Sequence, residues 1–176
     1  MAWDIDFDLP TASFFAPEQE KGVAALFRAI QPSDPERGIP GADDANAARY
    51  LGLLLARDPA GPIRIHSDLP KWVINYPQWL ASFDAIAKSR FGKPLGEIDA
   101  SAATTLIKEL EAGTLAGFDG NQRAAFTTIW RHCLQGCWSD PRWGGNADRI
   151  MWRWLGHLYD PQKVPVGAQE GNHATV

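Results

Sequence analysis

The stretch Glu97–Gly113, EIDASAATTLIKELEAG, reads as one complete helix with its start and stop both written in. Asp99 or Ser101 supplies a cap oxygen for the first free N–H groups, and Gly113 supplies the left-handed residue on which helices commonly end. Between them Ala103, Leu106, Ile107 and Leu110 recur at three- and four-residue steps, which places them on one face. A lone apolar stripe is not stable in water, so the remainder of the chain must supply others to pack on it.

It does so on both sides. Upstream, APEQEKGVAALFRAIQP opens with Pro17 at a first helical position and Glu18 and Glu20 near the positive end. Val23, Leu26, Phe27 and Ile30 share a face, and Pro32 ends the helix. A turn-rich link, SDPERGIPGADDAN, leads to DANAARYLGLLLAR, where Ala48, Leu51, Leu54 and Leu55 keep helical spacing. Residues 58–76 hold three prolines, a short IRIH and KWVINY, and are left open between irregular and extended structure. Pro77 is expected to open a third helix bearing Leu80, Phe83, Ile86 and Ala87 and ending near Gly92. Downstream, a fifth helix starts near Asn121 with Phe126, Ile129, Trp130 and Cys133 together, runs toward Cys137 and breaks at SDPRWGGN. Asp148–Leu155 forms a last short helix.

No segment alternates apolar and polar residues for long enough to need a sheet, and no internal repeat is visible. The expected fold is all-α, a single compact domain of five to six helices: residues 1–16 as an extended N-terminal arm carrying Phe14 and Phe15, 17–160 as the helical domain, 161–176 as a flexible tail. With 176 residues, 45% hydrophobic and 22% charged, the chain buries one core without staples. A net charge of −4 argues against a nucleic-acid partner, although Arg142, Arg149 and Arg153 cluster locally. No apolar run approaches the roughly 20 residues of a membrane span. The start, MAWDIDFDLP, is acidic where a secretory leader is basic, so the chain as written is expected to carry no export signal.

Chemistry-bearing patterns are sparse. His132, Cys133, Cys137, Asp140 and His157 hold metal-ligating atoms, yet a closed zinc site usually uses two close pairs and only one cysteine pair exists. Ser139, Asp140 and His132 or His157 are the residue types of a hydrolytic triad without its positional signature. The C-x-x-C-H haem signature and both common phosphate-binding glycine loops are absent. No catalytic, cofactor-binding or metal residues are therefore assigned. What stands out is Cys133–Leu158, CLQGCWSDPRWGGNADRIMWRWLGHL, which holds four of the eight tryptophans. Asp140 before Pro141 favours a turn, Gly144 and Gly145 permit positive φ, and Asn146 is a good cap for the helix from Asp148. Arg142, Trp143, Trp152, Arg153 and Trp154 cannot all point inward from so short a segment, and Trp and Arg are the residue types of binding hot spots.

The chain resembles the gluconate 2-dehydrogenase subunit 3 family, the small subunit of sugar dehydrogenases. The likeness rests on FFAPEQEKGVAALFRAIQPSD, PGADDANAARYL, GFDGNQRAAFTTIW and above all GCWSDPRWGGNADRIMWRWLG, in the family's order from Phe14 to Gly156. Asp140, Pro141, Trp143, Gly144, Gly145, Asn146, Trp152 and Gly156 occupy the motif's places. Gln135 stands where the family commonly has Glu, Cys137 where it has an aromatic, and Met151 where it often has Gly, which suggests a divergent branch.

The resemblance implies a non-catalytic accessory subunit rather than an enzyme by itself. Its partner is a large FAD-containing subunit of the glucose-methanol-choline class, which oxidises a sugar or glycoside and passes electrons to a cytochrome c or another acceptor. FAD is then expected in that partner and no cofactor in this chain. Family members commonly carry a twin-arginine leader, so the expected location is periplasmic if a leader has been removed and cytoplasmic otherwise. Asp140, Pro141, Arg142, Trp143, Gly144, Gly145, Asn146 and Trp152 are expected to contact the partner or to hold the loop that does. The alternative is a stand-alone carbohydrate-binding helical module, since exposed tryptophans also stack on sugar rings.

Overall fold

The computed structural model describes residues 10–57 and 66–156. They form a single all-α domain of six helices, and among the described residues there is no strand: α1 Pro17–Ile30, α2 Ala47–Leu55, α3 Leu69–Phe91, α4 Ala100–Ala112, α5 Gln122–Trp138 and α6 Ile150–Trp154. Residues 1–9 of the expected arm, the tail from 161, His157 and residues 58–65 of the segment left open lie outside the described residues.

Local chemistry sets most of the boundaries. Asp99 caps α4 by accepting from Ala102 N at 2.8 Å, and Gly113 leaves it at φ 76°. Asn121 caps α5 in the same way, accepting from Ala124 N at 3.0 Å. Helix α3 differs from expectation. It begins eight residues before Pro77, which lies inside it, and Pro70 in its first turn is the helix-opening proline. Pro77 removes one backbone hydrogen bond, but Trp72, Val73 and Tyr76 pack on the core from the turns before it, and that burial outweighs the lost donor.

Helix α1 is central: α2, α4, α5 and the 3-10 turn Leu95–Glu97 all pack on it. Its Val23, Leu26 and Phe27 are buried against a core built from Leu51, Tyr76, Phe83, Leu106, Leu110, Ile129 and Met151, among others. The residues just before α1 dock on the domain. Phe14 N donates to Gly52 O at 3.0 Å, and Phe15 is buried edge-on to Tyr76, ring centroids 6.0 Å apart. Gly52 makes room for that approach, since a Cβ there would lie 3.1 Å from Ser13 Cβ and would displace the Ser13 hydroxyl.

Candidate functional site

The tryptophan-rich segment is built on a close crossing of α2 and α5. A Cβ on Gly136 would lie 2.8 Å from Ala47 Cβ, so only glycine lets the two helices meet there. The same glycine's carbonyl then accepts from Asn146 N at 2.8 Å, and a Cβ on Gly145 would fall 2.2 Å from that oxygen. Residues 139–147 are thus folded back onto the crossing, with Ala147 N also donating to Ala45 O at 3.1 Å.

Within the loop, the Asp140 carboxylate organises a 3-10 turn, Pro141–Trp143. Its Oδ1 accepts from Arg142 N at 2.9 Å and from Arg142 Nε at 3.1 Å, while Oδ2 accepts from Nη2 at 2.9 Å. The Arg142 guanidinium accordingly holds the Asp140 carboxyl below its ordinary range. Gly144 comes next at φ 90°, where a Cβ would strike Leu53 Cδ1 at 2.5 Å.

Asn146 is fully buried and ties the loop to the start of α6. Its Nδ2 donates to Ser139 O at 3.1 Å, and its Oδ1 accepts from Met151 N at 3.0 Å. This corrects its expected role. Asn146 is itself left-handed at φ 43°, and Asp148 and Arg149 are left-handed too, at φ 52° and 58°, so no regular helix starts at Asp148. Helix α6 starts at Ile150, and Asn146 satisfies one of its free N–H groups from a distance. The left-handed Arg149 costs about 1 kcal/mol, which the packing around it must hold in place.

Of the expected residues, Gly145 and Asn146 are buried and hold the loop. Pro141, Trp143, Gly144 and Trp152 are half-buried, and Trp152 Nε1 donates to Trp138 O at 3.1 Å. Arg142 faces solvent, and so do Arg153, Trp154 (44% exposed) and Leu155 (57% exposed) beyond it.

Among the described residues, no three of the metal-ligating candidates come together as a group that could hold an ion. His132 is buried, its Nδ1 2.7 Å from Tyr76 Oη and its ring edge-on to Trp72 at 4.3 Å. Burial first, and the neighbouring His66 second, lower its pKa to about 4. The buried Cys133 thiol is pushed up by its hydrogen bond with Cys137 and by burial, and its sulfur lies 3.6 Å from Phe27 O. The Ser139 hydroxyl is buried with no hydrogen-bond partner, so the serine–histidine bond of a triad is not formed among the described residues.

One feature had no sequence signal beyond a cation ending a helix. Arg57, just past α2, lies with its guanidinium 4.4 Å above the Trp143 ring. Together with Tyr50, Leu54, Gln135, Ser139 and Asp140 these two line a cleft of about 320 Å³ between α2, α5 and the loop.

The fold and loop define an all-helical domain whose most specific feature is a braced turn carrying aromatic and arginine side chains beside a small cleft. A family model described as gluconate 2-dehydrogenase subunit 3 matches residues 17–157, and the chain belongs to that family. Membership implies a subunit of a dehydrogenase complex. No curated protein and no solved structure matches the chain. Among the described residues, no helix is long and apolar enough to cross a membrane.

Proposed function

We propose that this chain is a non-catalytic small subunit that binds, stabilises and helps mature a large FAD-dependent dehydrogenase of the glucose-methanol-choline class. In this reading the partner holds FAD, oxidises a sugar or glycoside and passes electrons to a cytochrome c or another acceptor. The observation that carries it is the loop itself. Buried Asn146 and the Gly136–Gly145 contact tie together the turn, which presents Arg142 to solvent, and the α6 segment, which presents Arg153, Trp154 and Leu155. Hot-spot residue types on a backbone that is already fastened favour protein association, because the backbone need not be ordered on binding. Binding only the folded partner stabilises it by mass action, about 2.7 kcal/mol when the free subunit is at a hundred times its Kd. A maturation role needs no active site in this chain.

The test is co-expression with a large flavoprotein of that class encoded beside this chain, then size-exclusion chromatography read at protein and flavin absorbance. Co-elution with flavin, and dye-linked sugar dehydrogenase activity only when both chains are present, is the expected result. A flavoprotein that is soluble and active alone, with this chain eluting separately, overturns the proposal. Glucoside binding by the isolated chain would then decide for a carbohydrate-binding module.

A further inference from the structure

Among the described arginines Arg57 alone is half-buried; the others are exposed, some beside a carboxylate and some, such as Arg49, Arg123 and Arg131, with water alone to solvate them. Arg28, Arg90 and Arg142 are exposed, and each has a carboxylate of its own chain: Asp43 at 2.6 Å, Glu109 and Asp140 respectively. Arg57 is half-buried, and among the described residues no carboxylate lies within ion-pair distance of it. Its Nε is closed off from solvent without a hydrogen-bond partner among those residues, and its guanidinium rests on the ring face of Trp143. A guanidinium with one nitrogen closed off from water, and no counter-charge among the described residues, is only partly satisfied. It is satisfied further when a carboxylate arrives, because the planar fork matches two carboxylate oxygens.

The surroundings suit such an arrival. Asp140 on the same cleft is already neutralised by Arg142, so it neither pairs with Arg57 nor strongly repels an incoming anion. Burial raises the Tyr50 pKa, which keeps its phenol protonated as a hydrogen-bond donor. A volume of about 320 Å³ lies at the small end of ligand pockets, suited to one side chain rather than a flavin or an oligosaccharide. Arg, Trp and Tyr, the residue types that dominate binding hot spots, meet there.

We infer that this cleft receives the carboxylate of one aspartate or glutamate on the surface of the large subunit, with Arg57 as the anchoring residue. This rests on the proposed function and adds the chemistry of the contact. An anchor of this kind predicts that Arg57→Met weakens the complex on the order of thirtyfold or more, and that Arg57→Lys, which keeps charge but not the fork, weakens it by about tenfold. Arg57→Met gives up the contact with the Trp143 ring, a weak one at a partly exposed site, so the urea midpoint of the isolated subunit is expected to move little.

Two measurements decide it. Affinity of the co-purified complex is compared for wild type, Arg57→Met, Arg57→Lys and the control Arg90→Met, an exposed arginine whose carboxylate partner, Glu109, lies away from the cleft. Separately, the isolated subunit is titrated with sodium acetate at constant ionic strength, with the Arg57 guanidinium resonances monitored by NMR. Weakening by the Arg57 changes, with a saturable acetate response, is the expected result. Arg57→Met binding within twofold of wild type overturns the anchor, and with acetate still binding it reassigns the cleft to a small free carboxylate. Absence of any wild-type complex defeats the accessory-subunit reading, while the acetate titration still shows whether the cleft takes a carboxylate; no saturable response defeats the cleft assignment.

Discussion

Replacing Asn146 with alanine tests whether one buried side chain holds the loop. The change strips the partner from Met151 N–H, which is buried, and from Ser139 C=O, which is partly buried. An orphaned buried group costs about 1–3 kcal/mol, with the carbonyl toward the lower end because water reaches it in part. Alanine must also sit at the φ of 43° that asparagine tolerates, adding about 1 kcal/mol. The sum is about 3–5 kcal/mol, a large share of the roughly 5–15 kcal/mol that stabilises a domain. It corresponds to a fall of about 6–20 °C in Tm for a chain of this length. Urea unfolding monitored by far-ultraviolet circular dichroism measures it, with Asn146→Gly as companion. Glycine relieves the backbone strain and leaves both orphaned groups, so it is expected to fall between wild type and Asn146→Ala. An Asn146→Ala protein within about 1 kcal/mol of wild type would falsify the assignment of this side chain as the tie between α5, the loop and α6.

Gly136→Ala places a methyl 2.8 Å from Ala47 Cβ and 2.9 Å from Ala47 O, so overpacking at the α2–α5 crossing is expected to cost about 1–3 kcal/mol; an unchanged urea midpoint refutes it. His132 stays neutral in the folded state down to about pH 4, whereas in the unfolded chain it protonates near about 6.5. The unfolded state therefore binds more protons in that window, and stability is complete above it and falls as pH drops through it. From about pH 7.5 to about pH 5 the loss is about 2 kcal/mol, read as a shift in urea midpoint, and His132→Phe is expected to remove that pH dependence. Trp154→Ala, at a 44% exposed position near Trp138, is expected to cost about 1–2 kcal/mol of stability from lost burial and to weaken the complex with the large subunit by more than that loss accounts for. Equal affinity of the variant and wild type takes Trp154 out of the interface.

The helices were legible where their ends carry their own chemistry. Asp99 and Gly113 bound α4, and Asn121 opens α5, because a cap is a contact within four residues and the sequence shows both partners. Helix α3 was misread at its start because Pro77 has the same local signature inside a helix as at its beginning. The burial of Trp72 and Tyr76 that decides between the two comes from distant residues such as His132 and Phe15. The turn at 140–146 was legible as a turn, since Asp-Pro and Gly-Gly-Asn have few other uses. Its fastening to Gly136 and Met151 was not, because nothing local marks a glycine as the floor for another loop.

That fastening changes how the motif bears on function. Gly136, Gly145 and Asn146 are consumed in making the shape, so substitutions there act on partner binding through folding of the loop. In the proposed complex the candidates for direct contact are the outward side chains, Arg142 on the loop and Trp154 on α6, together with Arg57, which reaches Trp143 from the end of α2. The two groups separate experimentally. Loss of a bracing residue lowers stability and affinity together, whereas loss of Arg57 or Trp154 lowers affinity by more than its smaller effect on stability accounts for. A variant series in which affinity tracks stability at every position, Arg57 and Trp154 included, would place the partner's footprint elsewhere on the domain.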